Sequence, residues 1–325
     1  MKTISSSTQQ SILTRLMFGA LALLTALATA SATQALPQKA VLDFDGDNKT
    51  DYAVVRLTNG ALNWYLQQST AGFRGQAWGT AGDEYVPGDY DGDGKWDIAV
   101  WRAGTFYILQ SLSGALRVVP FGQAGDDPLI SQDFDGDGKC DPAVSRNAGS
   151  TQTWYILRST AGFTSVAFGN GSTDTSIRGD FDGDGKADVA VYRRSDGTPA
   201  NTFYVLRSTD GAVQGLTFGD FNNDNILPAD FDGDGKTDYA VRRASNATWY
   251  WIQTSDGSFH GLVFGLNSDK PVPGDYDGDG KTDQAVRRIG GSNSTFYVNR
   301  STLGFTGLQF GTSSDEAPAQ SLQVH

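Results

Sequence analysis

Four aspartates within nine residues recur six times along the chain, at positions 1, 3, 5 and 9 of the motif D-[FY]-D-G-D-[GN]-K-x-D. The copies carry Asp43, Asp45, Asp47 and Asp51; Asp89, Asp91, Asp93 and Asp97; Asp133, Asp135, Asp137 and Asp141; Asp180, Asp182, Asp184 and Asp188; Asp230, Asp232, Asp234 and Asp238; and Asp275, Asp277, Asp279 and Asp283. The seventh residue is always lysine: Lys49, Lys95, Lys139, Lys186, Lys236 and Lys281. Carboxylates spaced by two converge on one centre when the segment curls, and a hard cation takes about six to eight oxygens. Glycine at position 6, such as Gly94, permits the turn, and Asn48 replaces it in the first copy. The lysine carbonyl can add a ligand while its side chain points to solvent, and water completes the shell. Without a cation, four like charges in nine residues repel. The motif is therefore expected to bind Ca2+, up to six ions in the chain. No glutamate at position 12 and no flanking helix makes it an EF-hand, so affinity is expected in the range of about 10⁻⁴–10⁻³ M. Mg2+ is disfavoured by its strict octahedral geometry and Zn2+ by the all-oxygen donor set.

The motifs start 46, 44, 47, 50 and 45 residues apart, a period that belongs to propeller blades or arrays. Each is followed by a short apolar strand ending in arginine, from Ala53-Val54-Val55-Arg56 onward to Arg102, Arg146, Arg193, Arg243 and Arg288. An aromatic strand comes next: Trp64-Tyr65, Phe106-Tyr107, Trp154-Tyr155, Phe203-Tyr204, Trp249-Tyr250 and Phe296-Tyr297. A glycine turn leads to a strand closing on an aromatic-Gly pair, such as Trp78-Gly79 or Phe121-Gly122. Four short strands per repeat and no helical periodicity after residue 32 predict an all-β chain. One such sheet cannot bury both faces, whereas radial packing does, so the expected fold is a β-propeller of six blades of four antiparallel strands. Ala40–Phe44 is expected to supply the first strand of blade 1.

The 40 glycines fit a turn-rich chain, and 38% hydrophobic residues suffice for a regular core. The net charge is −12, and residues 1–32 hold Lys2, Arg15 and no acid, so the remainder carries −14. The six motifs hold 24 aspartates and six lysines, which leaves everything else at +4. Acidity confined to loops argues for cation ligation, and no basic stripe suggests nucleic acid. At the N-terminus, Lys2 and Arg15 precede an apolar run from Leu16 to Leu27 and the small residues Ala28 to Ala32. That order reads as a secretory signal over residues 1–32, too short an apolar run for a span. A short segment, 33–39, follows; the propeller covers 40–316, and 317–325 form a tail that could add a closing strand.

With its loop, the Ala-Val strand after it and the recurring Phe-Gly, the chain resembles the FG-GAP/VCBS repeats of integrin α-subunit propellers and of bacterial surface and secreted proteins. The resemblance covers about residues 40–316 and implies that each loop joins the first and second strands of a blade. The Gly-Ala-Pro of the integrin pattern is replaced here by Val-Arg, which favours the bacterial branch.

The recurring arginines fit salt bridges to the aspartate after each aromatic-Gly pair: Asp83, Asp126, Asp174, Asp224, Asp269 and Asp315. The alternative is a guanidinium ring gripping an anionic polymer. One aromatic of each pair faces the core, and the other can lie in part at the surface and stack on a sugar. Cys140 reads as an incidental free thiol. His260 and His325 are isolated, and no nucleophile motif or phosphate loop is present, so no catalytic residue is assigned. Two function classes remain. One is an exported, non-enzymatic adhesion or carbohydrate/protein-binding module that engages a repetitive glycan or surface protein; the other is a lyase-like polysaccharide-processing enzyme using a propeller face. Arginine and tyrosine recur in every repeat, and a catalytic site breaks such symmetry where a multivalent binder keeps it, so the first is preferred. The expected location is secreted, cell-surface or periplasmic, with no membrane span after signal cleavage.

Overall fold

The short Ala-Val strand behind each aspartate motif is buried on both sides, because a neighbouring sheet covers each face. The computed structural model describes residues 39–194, 201–220 and 223–321. The signal segment 1–32, residues 33–38 and the end of the tail lie outside the described residues. Six antiparallel sheets follow one another. Blade 1 holds β1 (Tyr52–Thr58), β2 (Ala61–Gln68) and β3 (Gly72–Thr80). Blade 2 holds β4 (Glu84–Tyr85), β5 (Ile98–Arg102), β6 (Thr105–Leu109) and β7 (Leu116–Pro120). Blade 3 holds β8 (Ala143–Ala148), β9 (Thr151–Arg158) and β10 (Gly162–Ala167). Blade 4 holds β11 (Asp174–Ile177), β12 (Val189–Arg193), β13 (Thr202–Leu206) and β14 (Val213–Thr217). Blade 5 holds β15 (Asp224–Ile226), β16 (Tyr239–Arg243), β17 (Thr248–Ile252) and β18 (Phe259–Val263). Blade 6 holds β19 (Lys270–Pro271), β20 (Gln284–Gly290), β21 (Asn293–Arg300) and β22 (Gly304–Thr312). The protein is thus an all-β, six-bladed propeller, and in blades 2, 4, 5 and 6 the loop joins the first and second strands. No helix among the described residues is long and apolar enough to cross a membrane.

Two blades show three strands where four were expected. In blade 3 the first strand shrinks to a bridge between Asp127 and Ser145. Pro128 then opens a turn in which Asp127 Oδ1 accepts the Leu129 N–H, and the Ser131 hydroxyl takes over the backbone of Ala143. In blade 1 the expected strand Ala40–Phe44 does not form, because Leu42 sits at φ +56°, a left-handed conformation that breaks an extended run. The place is taken from the other end of the chain. Glu316 pairs with Val55 through N–H···O bonds of 2.7 and 2.9 Å, and a helical turn, Pro318–Ser321, follows it.

Inside the blades the aromatic pairs divide as alternation requires. Trp64, Phe106, Trp154, Phe203, Trp249 and Phe296 are buried, while their tyrosine neighbours lie half-exposed. Tryptophan and phenylalanine alternate from blade to blade, and the hydrogen bonding adjusts. Trp64, Trp154 and Trp249 donate Nε1–H to the carbonyls of Trp78, Phe168 and Phe264. Where the third strand carries phenylalanine, Trp101, Tyr192 and Ser294 donate to the corresponding carbonyls of Phe121, Phe218 and Phe310. A polar acceptor in the core is thus satisfied in every blade, as burial demands.

Candidate metal centres and inter-blade clefts

The aspartate motif folds on its own first residue. Asp43 accepts the N–H groups of Gly46 and Asn48 at 2.6 and 2.7 Å, and the other five loops repeat the pair. Gly46 and Asn48 both have positive φ, 82° and 63°, so both positions 4 and 6 need residues that tolerate it. Position 9 ties the loop to its blade: Asp51 accepts the N–H groups of Phe44 and Ser69, both at 2.8 Å. Carboxylate oxygens from at least three aspartates per cluster come within 4.8 Å of one another, as in Asp43, Asp45 and Asp51, or Asp180, Asp182 and Asp184.

The position-3 aspartates test whether a cation fits. Oδ1 of Asp45, Asp135, Asp182 and Asp277 is buried without any hydrogen-bond partner. In the other two loops, Oδ1 of Asp91 and Asp232 has only a long bond, 3.3 and 3.2 Å, from the position-5 N–H. A buried anionic oxygen with no donor is costly, and a cation is what would satisfy it. Burial, backed by neighbouring carboxylates, pushes Asp51, Asp188, Asp238 and Asp283 up to about 7 despite their backbone donors. Burial likewise pushes Asp97, Asp141, Asp180 and Asp230 up to about 6. The donor set is all oxygen, which suits a hard cation.

Two features of these loops escaped the sequence reading. A Ser/Thr turn between the third and fourth strands closes over each loop. Ser69 Oγ and Thr70 Oγ1 donate to Asp47 at 2.6 and 2.5 Å, and the Thr70 and Ala71 N–H groups reach Asp45. Against the cost of burial, those hydroxyls hold Asp47 below the usual carboxylate range. Ser111, Ser159-Thr160, Ser208 and Ser301-Thr302 repeat the contact to position 5, and in blade 5 Ser255 reaches position 3 instead. The signal was the hydroxyl residue that follows every aromatic strand. Secondly, the lysine side chains do not simply point to solvent. Each lies along the position-4 glycine of the preceding loop, Lys95 on Gly46 and Lys139 on Gly92, round to Lys49 on Gly278. A Cβ on Gly183 would stand 2.7 Å from the Lys236 stem. The position-8 N–H also reaches the position-1 carbonyl of the preceding loop, from Trp96 to Asp43 round to Thr50 and Asp275, at 2.6–2.7 Å. The loops form one closed ring. Cys140 occupies position 8, is buried, and makes no disulfide.

The recurring arginines sit at the opposite end of the blades, and all six pair with the aspartate after the aromatic-Gly. Arg56–Asp315, Arg102–Asp83, Arg146–Asp126, Arg193–Asp174, Arg243–Asp224 and Arg288–Asp269 are bidentate, with closest contacts of 2.6–2.9 Å. Each aspartate also accepts the N–H of the residue that follows the aromatic-Gly pair, as Asp83 does from Thr80 at 2.8 Å. The arginines are therefore structural locks between the first and second strands of a blade, as in the cross-strand pairs Asp174–Arg193 and Asp224–Arg243, and Arg56–Asp315 repeats the lock in blade 1 across the ring closure.

Each guanidinium lies on a tyrosine, with Cζ 4.5–5.2 Å from the ring centroid. Beside the tyrosine, four blades place an exposed phenylalanine: Phe73, Phe163, Phe259 and Phe305, each about 60% accessible (64, 59, 61 and 65%). Each makes an edge contact with the preceding blade's aromatic-Gly ring: Phe310, Phe121, Phe218 and Phe264. Between blades 6 and 1 this encloses a cleft of about 310 Å3, walled by Arg56, Tyr65, Phe73 and Phe310. Blades 2 and 4 have Leu116 and Val213 in place of the phenylalanine.

A six-bladed propeller with an aspartate loop in every blade is the class these features define. FG-GAP-like repeats match residues 43–100, 133–191 and 230–286, more than half of the chain, and the protein belongs to that family. No curated protein sequence matches it. Among solved structures, a streptogramin B lyase aligns at 10% identity over 90% of this chain and 94% of its own, with a TM-score of 0.48. A putative 6-phosphogluconolactonase from Bacteroides fragilis aligns at 10% identity, 82% and 95% coverage and a TM-score of 0.39. Hsv2 of Kluyveromyces lactis aligns at 12% identity, 77% and 71% coverage and a TM-score of 0.38.

Proposed function

We propose that this chain is an exported binding propeller, stabilised by Ca2+ in its loops, that holds repetitive glycans or surface proteins in the clefts between its blades. The recurring exposed aromatics carry the reading. Large apolar rings left open beside half-buried tyrosines mark a contact surface, and a sugar's apolar face can stack on them. Calcium would be held by the position-1, 3, 5 and 9 carboxylates and the lysine carbonyls, where it supplies charge neutralisation and rigidity. The arginines already bind aspartate, so they serve the clefts by fixing the tyrosines. Four clefts on one rigid body favour a polymeric target, since each further contact is intramolecular. The chain acts as a binder and not as a lyase, because its prominent acids and bases are spent on loops and locks.

The test is retention on immobilised polysaccharides and on a glycan array, with calcium and with chelator. Replacing Phe73, Phe163, Phe259 and Phe305 by alanine, singly and together, should weaken retention stepwise and leave the melting temperature nearly unchanged. A reducing-end assay on bound polymers should stay silent. A wild-type protein that retains no polymer, or a quadruple variant that binds as well as wild type, would sink the reading.

A further inference from the structure

The centre of the loop face breaks the six-fold pattern at one residue. Four residues beyond the lock aspartate, three blades carry Pro87, Pro228 and Pro273, and the closing segment carries Ala319. Blade 3, one residue longer, has Ser131 there, and blade 4 has Arg178. Arg178 lines a cavity of about 140 Å3 whose walls include Val41, Leu227, Pro228 and Pro273. Its Nη2 donates to the Ser131 carbonyl at 2.7 Å, and no carboxylate among the described residues forms an ion pair with it. All six lock arginines have an acid, whereas Arg178, like the buried Arg242 and Arg287, is held only by backbone carbonyls, and of these three it alone lines this cavity. Gln132 lines the same cavity, and its Nε2 is buried with no partner. The two acids at the rim, Asp230 and Asp275, are turned to the backbone N–H groups of their own loops.

A guanidinium with no carboxylate partner and an amide donor with no hydrogen-bond partner, among apolar walls, lack one thing, an acceptor of negative charge. We propose that this cavity binds a small carboxylate, its oxygens on Arg178 and Gln132 and its short aliphatic part against Leu227, Pro228 and Pro273. A planar carboxylate matches the guanidinium fork, and the volume admits a short acid or the acidic end of a larger molecule. This site is single and asymmetric, independent of the inter-blade clefts and of their occupant.

The test titrates the mature protein in calcium with propionate, with uncharged propionamide and with a galacturonate oligomer, by calorimetry and ligand-observed NMR. Propionate should bind, propionamide at least about tenfold more weakly. Arg178→Pro installs the residue that three blades already have and should keep the fold while abolishing binding; Arg178→Met is the second variant should the first misfold, and Gln132→Leu should weaken binding. Galacturonate bound in place of propionate, and lost with Arg178, would support the carboxylate site and assign its source to an acidic sugar. No binding of either acid up to about 30 mM, or folded Arg178 variants that bind as wild type does, would overturn the proposal.

Discussion

The lock aspartates and the position-9 loop aspartates are both buried, one set at each end of the blades, and their surroundings differ in sign. Asp315 and Asp174 each face a bidentate arginine, which outweighs burial and holds them below the usual carboxylate range. Asp51 and Asp188 face other carboxylates and a handful of backbone donors, and burial drives them up to about 7. The lock end is complete as the chain builds it. The loop end is not, because four position-3 oxygens have no partner. The molecule therefore has one end closed by its own ion pairs and one that leaves buried carboxylate oxygens without a donor.

Removing metal should separate the two ends most strongly. A ligand at tenfold excess over its dissociation constant contributes about 1.4 kcal/mol per site, so six loaded loops would contribute about 8 kcal/mol. Chelator should lower the melting temperature by many degrees, and millimolar Ca2+ should restore it. An unchanged melting curve, with metal analysis confirming removal, would show that the loops are as self-sufficient as the locks.

The lock at the ring closure should come next. Asp315 pairs with Arg56 across 259 residues of chain, beside the Glu316–Val55 bridge. Asp315→Ala strands a partly exposed guanidinium and the Thr312 N–H, and should cost about 2–3 kcal/mol. Asp126→Ala breaks the equivalent lock inside blade 3, whose two partners lie only 20 residues apart in the chain, and should cost less. Denaturant unfolding gives both values, and limited proteolysis should release the C-terminal segment only in the first variant. Equal costs would mean that blade 1, closed by the far end of the chain, is no weaker than a blade closed by its own neighbouring segment.

Acid should move the two ends in opposite directions in metal-free protein. The position-9 aspartates, such as Asp51, Asp97 and Asp238, have folded values raised to about 6–7, so their contribution is full below the ordinary value near 4 and is lost as pH rises through 7. The lock aspartates Asp174 and Asp315 are lowered, so theirs is present above about 4 and lost only as pH falls below it. Metal-free protein should melt several degrees higher at pH 5 than at pH 8. In saturating calcium the order should reverse, because protons compete with the ion. Metal-free melting that rises from pH 5 to pH 8 would contradict the loop environment described here.

Much of this was legible in the sequence because each repeat carries its own strand pattern. The aromatic pairs, the arginine–aspartate locks and the turn at position 6 follow from residues within one repeat or its immediate neighbour. What lay hidden depends on which distant or adjacent copies touch. That Lys236 needs a glycine at 183, or that Thr50 bonds to Asp275, follows only from the closure of six loops into a ring. The replacement of the expected Ala40–Phe44 strand by Glu316 has the same origin. A left-handed Leu42 and a C-terminal segment reaching Val55 are tertiary facts with no local pattern. Arg178 was visible as a letter, but its lack of an acid could be seen only in the cavity.

Asp182→Ala is the smallest change and the finest test, because its sign depends on metal. Asp182 Oδ2 accepts the Thr209 N–H at 3.2 Å, while Oδ1 is buried and unpartnered. In chelator, removing it takes a like charge away from Asp180 and Asp188, both of which it raises. The metal-free variant should then be as stable as wild type or slightly more so. In calcium the variant loses one site's contribution, about 1.4 kcal/mol at tenfold excess, and binds one ion fewer. The neighbouring loops add a second reading. Lys236 lies over Gly183 and Thr237 donates to the Asp180 carbonyl, so disorder in this loop reaches blade 5. Calcium titration of the remaining sites should show one of them weakened and the others untouched. Loss of all bound metal from a folded variant would mean that the ring acts as one unit; a metal-free variant clearly less stable than wild type would mean that Asp182 has a structural role which its unpartnered oxygen does not reveal.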